Sequence, residues 1–147
     1  MSISTDTLNQ QLIERLSYAG LLPFVLLATL LWLVDAELLL FVSSALASYG
    51  ALIAAFLGGL HWGVAFVKTD AQRTFHLCWG VVPSLVGWLA LMMPPYAGLP
   101  LLGLVLLACY AVDRKTYPGA GLGGWLPLRL RVTAAATACC VLGAAAI

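Results

Sequence analysis

The chain has 147 residues, of which 63% are hydrophobic and only 9% are charged. Soluble domains carry about 25% charged residues, so this composition excludes a water-soluble globule and predicts a protein embedded in lipid. The net charge of +1 excludes the concentrated basic surface that is typical of nucleic-acid binding. The four cysteines follow no zinc-binding spacing, so we predict no metal site.

Five hydrophobic runs are long enough to cross a bilayer as helices. They extend over residues 18–34, 38–67, 75–93, 97–112 and 128–147. The second run exceeds the thickness of the hydrocarbon core, so this helix must tilt or project from the membrane. The sequence therefore predicts one all-α domain over residues 1–147, an integral membrane bundle of five transmembrane helices.

The charged residues predict how this bundle is oriented. With five spans, all seven Lys and Arg residues fall on the N-terminal side of the membrane, whereas the opposite loops carry Asp35 and Glu37 and no cation. Cytoplasmic loops are enriched in Lys and Arg. We therefore expect a cytoplasmic N-terminus, a periplasmic C-terminus and a location in the bacterial inner membrane.

Small residues recur at every fourth position of the second predicted helix, from Ser43 onward. The four that we assign to helix packing are Ala51, Ala55, Gly59 and Gly63. Small residues at this spacing let a second helix approach closely. We expect one nearly continuous groove, which a helix of a partner protein or of this chain could fill.

His61 is the histidine placed deep in this helix, about 10 Å from its predicted cytoplasmic end. It lies about 200° around the helix from Gly59, so it does not face the groove. A polar ring at this depth is costly unless it meets water or a partner, which favours a functional role. The alternative is an interhelical hydrogen bond that only holds two helices together.

Further residues are expected to form a polar cluster with His61 near the cytoplasmic surface. Trp62 is its neighbour, Asp113 and Arg114 lie at the end of the fourth helix, and Arg129 lies at the start of the fifth. An Asp113–Arg129 pair could position the imidazole or bind an anionic headgroup. The alternative is that the cations only anchor helix ends at the membrane surface.

His76 opens the third predicted helix, where interfacial water could hydrate it. Its predicted depth differs from that of His61 by about two helical turns, which argues against shared ligation of haem or a metal ion. The sequence shows no Ser/His/Asp order, paired carboxylates or phosphate-binding loop. We therefore predict no enzyme and no cofactor, with haem or quinone near His61 as the alternative.

Several motifs together resemble an uncharacterised family of small membrane proteins, the domain of unknown function 3429 family. They are Tyr49-Gly50-Ala51, Phe56-Leu57-Gly58-Gly59-Leu60-His61-Trp62-Gly63, Gly20-Leu21-Leu22-Pro23-Phe24, Pro83-Ser84-Leu85 with Trp88, and Asp113 and Leu128-Arg129 with Thr133. The resemblance covers most of the chain from Tyr18 to Thr133. It implies a five-helix membrane fold, bacterial and mitochondrial members, and no assigned activity.

Three functions are compatible with these patterns. The first is a non-enzymatic accessory subunit or assembly factor that docks to a larger membrane complex through the small-residue face. The second is a binding protein for a quinone, lipid or haem near His61 and Trp62. The third, a small transporter and perhaps a homo-oligomer, has less support because no acidic residue lines a path through the membrane.

Overall fold

The computed structural model describes the backbone of residues 2–147 and the side chains of residues 5–147. Over these residues the chain folds into α-helices joined by short connections. Two 3₁₀ turns, Pro118–Ala120 and Gly123–Trp125, join the last two helices. The helices are α1 (Ser2–Ala19), α2 (Leu22–Leu30), α3 (Ala36–Val67), α4 (Arg73–Met92), α5 (Pro95–Thr116) and α6 (Leu126–Ala145).

Among the residues that the structure describes, five helical segments are long and apolar enough to cross a membrane. They are Thr5–Leu30, Ala36–Val67, Arg73–Met92, Pro95–Thr116 and Gly123–Ala145. The prediction of an all-α protein with five membrane-spanning helices is therefore confirmed. The cytoplasmic position of the N-terminus stays a prediction, which reporter proteins fused to the two termini would test.

The first span begins well before residue 18, where the hydrophobic run was expected to start. Leu8, Leu12 and Leu16 recur every four residues and lie on one side of α1, although polar residues surround them. The helix is interrupted after Ala19, and α2 follows with Pro23 in its first turn. Proline lacks an amide hydrogen and is tolerated at a helix start, which explains why the chain begins a new helix here.

The long helix α3 forms the centre of the bundle and packs against α2, α4, α5 and α6. Its 32 residues extend about 48 Å, more than the hydrocarbon core of about 30 Å. The other helices can therefore cover α3 on several sides along its length. The core residues at its middle include Leu46, Ala54 and Leu57.

The chain's own helices cover only the first half of the small-residue row along α3. Ser43, Ala47 and Ala51 are buried against the other helices, and Ala55 is half-buried, but Gly59 and Gly63 are exposed. A step of four residues turns a helix by about 400°, so such a row drifts by about 40° per step. Over five steps the row moves from the packed side of α3 to the outside.

The buried side of α3 instead continues through Ala54, Gly58, His61 and Ala65. These residues follow the 3.6-residue repeat of the helix, which alternates steps of three and four. The face that carries the imidazole is therefore the packed face. We had expected the packed face and His61 to lie on different sides of α3, and the structure places them on the same side.

The closest approach of α3 and α4 occurs at Gly58 and Gly80. A Cβ atom added to Gly80 would lie 2.8 Å from the carbonyl oxygen of Gly58, and one added to Gly58 would overlap the carbonyl oxygen of Gly80. Only glycine on both sides permits this approach of two backbones. His61 and His76 each lie about one turn from these glycines, on the side of the α3–α4 connection. The glycine contact therefore brings the two imidazoles together.

Replacing Gly58 by alanine should destabilise the protein, because the new methyl group would push α3 and α4 apart. We expect a loss of about 1–3 kcal/mol in the free energy of unfolding, the usual cost of overpacking. Thermal unfolding of the purified protein measures it. The matched control is Gly59→Ala, which adds the same group into open space. Equal unfolding temperatures of the two variants would show that this contact does not determine helix packing.

Candidate functional site

Four helices contribute one side chain each to a continuous hydrogen-bonded network, which we call the four-residue network: His61, His76, Asp113 and Arg129. The Nδ1 atoms of His61 and His76 are 2.9 Å apart, and His61 Nε2 is 2.9 Å from Asp113 Oδ1. Arg129 donates to Asp113 Oδ2 from Nε at 3.1 Å and from Nη2 at 2.8 Å. The network thus connects α3, α4, α5 and α6.

The network is almost entirely removed from the surface. The side chains of His61 and Asp113 are each 1% exposed, and that of Arg129 is 13% exposed. A carboxylate buried without a partner would be very costly, whereas this one accepts bonds at both oxygens. The network therefore satisfies the polar groups that the membrane interior cannot hydrate.

Its hydrogen bonds define most of the proton positions. The Asp113 carboxylate accepts, so His61 donates to it from Nε2–H. Between the two histidines one Nδ1 must donate and the other must accept. If His61 is neutral, His76 donates; if His61 is protonated on both nitrogens, it donates to His76. The same positions of the heavy atoms therefore accommodate the network with or without one additional proton.

Local structure places Asp113 and Arg129 opposite one another. Asp113 lies in the last turns of α5, and Arg129 lies in the first turn of α6, so the short α5–α6 connection holds them side by side. Arg129 also donates from Nη1 to the hydroxyl of Thr133 one turn further along α6, at 3.2 Å. Tyr117 is a further hydrogen-bonding neighbour of Arg129, so Asp113, Thr133 and Tyr117 together hold the guanidinium group.

A cavity of about 370 Å³ begins beside Arg129 and extends into the apolar interior between α1, α2, α3, α5 and α6. Arg129, Thr133 and Tyr117 line it near the helix ends, whereas Leu106 and Ala136 line it deeper. Ala136 lies seven residues, about 10 Å, from Arg129 along α6. The cavity therefore has a polar end near the connections and an apolar end towards the middle of the membrane.

Tyr117 adds a hydroxyl group to the surroundings of the polar end. It follows the last residue of α5, is 5% exposed, and its ring lies 6.3 Å from that of His61. Burial raises the pKa of Tyr117 to about 12, and the charge of Asp113 acts in the same direction, whereas Arg129 opposes it. The phenol is therefore neutral at physiological pH and remains a hydrogen-bond donor.

The structure brings three of the predicted cluster residues together and separates two from them. His61, Asp113 and Arg129 are in direct contact, whereas Arg114 is exposed on the outside of α5. Trp62 points away from the network, is 40% exposed, and donates from Nε1 to the carbonyl of Leu77 on α4 at 3.0 Å. Trp62 thus covers the α3–α4 contact and does not line the cavity.

His76 is the residue that sequence reasoning left outside the cluster. It was expected at the interface and hydrated, but it is buried and touches His61. The expected difference in depth is wrong, because α4 begins at Arg73 and the tight α3–α4 connection returns the chain beside His61. The sequence did contain a signal for this contact. A histidine lies on each side of a short polar loop that joins two long apolar runs, and such a loop brings the ends of its two helices together.

The network does not fit the alternative of haem or metal ligation. Both ring nitrogens of His61 already face partners, so a ligated iron would have to displace His76 or Asp113. Among the residues whose side chains are described, no three His, Cys, Asp or Glu residues are arranged to hold a metal ion. We therefore derive no role for such a group from this site.

Comparisons with known proteins place the chain among membrane proteins. The sequence pattern of a family described as "Protein of unknown function (DUF3429)" matches residues 10–145. Over 79 residues the chain is 40% identical to Transmembrane protein 69 of Xenopus tropicalis. The aligned region covers 52% of this chain and 31% of that relative. The chain thus corresponds to less than a third of this longer protein. No solved structure matches the chain.

Replacing Asp113 by asparagine should strongly destabilise the protein, because the Arg129 guanidinium would lose its counter-charge while it stays largely buried. Removing one partner of a buried ion pair costs about 3–5 kcal/mol, so we expect a large drop in unfolding temperature. The matched control is Arg114→Gln, which removes an exposed charge one residue away and should change stability by less than about 0.5 kcal/mol. Similar unfolding temperatures for both variants would contradict the structural role of the network.

Proposed function

Because the chain belongs to the DUF3429 family, whose description assigns no activity, we propose from its geometry that it is a non-enzymatic, multi-pass membrane protein that binds one lipid-soluble molecule in the cavity beside Arg129. A single observation carries the proposal. An apolar cavity of ligand size ends at the largely buried guanidinium of Arg129, which lines it together with Tyr117 and Thr133. The proposed location is the bacterial inner membrane.

The shape and lining of the cavity support a ligand with an apolar chain and a polar head. Its volume of about 370 Å³ falls in the usual range for small-molecule sites. The polar end lies at the same end of the bundle as the charged connections, and the apolar end lies towards the middle of the membrane. A bound amphiphile would therefore have the orientation that it has in the bilayer.

Access from the membrane also supports this proposal. Leu16 and Phe56 line the cavity from α1 and α3, and both are 63% exposed on the outside of the bundle. In a membrane these exposed apolar side chains face lipid. The cavity can therefore exchange its occupant with the surrounding bilayer without opening the polar network.

Filling the apolar end of the cavity should abolish binding. The variant Ala136→Leu adds three carbon atoms at a buried position that lines the cavity, and we expect it to weaken binding of radiolabelled dodecanol by at least about tenfold. The measurement is saturation binding to the protein in phosphatidylcholine nanodiscs, with empty nanodiscs as background. The matched control, Ala138→Leu, makes the same change at an exposed position of α6. Absence of saturable binding of both dodecanol and its anionic analogue dodecanesulfonate to the unmodified protein, or equal loss in both variants, would contradict the proposal.

Docking to a larger membrane complex is the second candidate, and the exposure of Gly59 and Gly63 favours it. No atom lies within 4 Å of a Cβ built at either glycine, so a partner helix could approach α3 there. The earlier part of the row, including Ala47 and Ala51, is already covered by the chain's own helices. Purification in mild detergent tests this candidate: a stoichiometric partner that is lost in Gly63→Leu supports it, and a homogeneous monomer in both forms contradicts it.

A further inference from the structure

We propose that the ligand is a single-chain lipophilic anion, such as the carboxylate of a fatty acid, and that its binding is coupled to uptake of one proton by the His61–His76 pair. This inference rests on the proposed function, because it concerns the head group that the cavity accepts. It is carried by three features of the site: its charge balance, the hydrogen bond between the two histidines, and the volume of the cavity.

The charges of the empty site already cancel. Asp113 carries one negative charge, Arg129 carries one positive charge, and their side chains are in direct contact. An anionic head group at Arg129 would add an uncompensated negative charge in a buried region, which is costly. A neutral site becomes a favourable anion site only if the protein gains one positive charge at the same time.

The histidine pair can supply this charge without moving any heavy atom. With His61 neutral, its Nδ1 accepts a hydrogen bond from Nδ1–H of His76. An additional proton taken up at Nε2 of His76 lets the bridging proton move to His61, which then donates to His76 through the same 2.9 Å contact. His61 becomes an imidazolium that still donates to Asp113. The balance is one anion and one proton bound together, with no change in net charge.

The ionisable groups around the histidine pair carry charges of both signs. Asp113 accepts directly from His61, and the neighbouring phenol is neutral and cannot offer a competing charge. In the α3–α4 connection, Lys68 and Asp70 act on His76 with opposite signs. Among the described side chains, six ionisable groups face the histidine pair or the Asp113 carboxylate from α5, α6 and the connections between the helices. They are Asp113, Arg129, Tyr117, Cys109, Lys68 and Asp70.

The volume of the cavity selects a single-chain ligand. About 370 Å³ accommodates one medium-length alkyl chain, whereas a phospholipid has two long chains and a large head group. The guanidinium of Arg129 lines the polar end of the cavity, and the planar guanidinium group suits the two oxygens of a carboxylate. A neutral quinone would need no charge compensation, so it is the competing outcome of the test.

Two probes that do not titrate near neutral pH distinguish these possibilities: dodecanesulfonate, a permanent anion, and dodecanol, which is neutral. Both are measured with the unmodified protein in phosphatidylcholine nanodiscs, between about pH 6 and 8, where a histidine changes charge. We expect the affinity for dodecanesulfonate to fall by up to about tenfold per pH unit as pH rises, the limit for one coupled proton. The affinity for dodecanol should not change with pH.

Calorimetry in buffers of different ionisation enthalpy counts the protons directly. Uptake of one proton with dodecanesulfonate and of none with dodecanol supports the inference. Saturable binding of dodecanol alone, or binding of both probes without proton uptake, overturns the inference and leaves the proposed function intact. If neither probe binds, both proposals fail.

The variant His61→Gln tests which group takes up the proton. Its amide can donate to Asp113 and accept from His76, but it cannot become a cation. We expect proton uptake and the pH dependence of dodecanesulfonate binding to decrease, because a proton on His76 could no longer be passed to a ring that donates to Asp113. Unchanged proton uptake in this variant would overturn the role of His61 in the coupling. Because the comparison of probes uses the unmodified protein, it stands even if this variant does not fold.

Discussion

Asp113 is the constraint on which the rest of the structure depends. A carboxylate at a membrane helix end, 1% exposed, requires compensation from its neighbours, and two other helices provide it through His61 and Arg129. Because His61 is also bonded to His76, satisfying one charge determines how four helices are arranged. The network therefore joins the helices and also lies beside the polar end of the cavity, so a change in its charge would affect both.

Close backbone packing and the polar network depend on each other. The approach of α3 to α4 at Gly58 and Gly80 places the two imidazoles one turn further along within 2.9 Å. Tight packing on this side of α3 contrasts with the cavity on its other side, between α1, α2, α5 and α6. The histidine pair therefore lies on the closely packed side of the bundle, and the cavity of the proposed ligand lies on the other side.

The family assignment limits what relatives can contribute. The chain belongs to the DUF3429 family, whose description assigns no activity, and it resembles part of a longer eukaryotic membrane protein. Function must therefore be argued from the site itself. The proposal that this protein recognises an amphiphile rests on a buried, charge-neutral network that lies beside an apolar cavity.

The sequence by itself determined the membrane class, the five spanning helices and three members of the network, because hydrophobic runs and buried charges are local signals. It did not determine which face of α3 packs, since a four-residue row drifts around a helix and Gly59 therefore leaves the interface that Ala51 occupies. Only tertiary structure placed His76 against His61, excluded Trp62 and Arg114, and created the cavity. These features depend on distances between residues far apart in the chain, which helix periodicity does not encode.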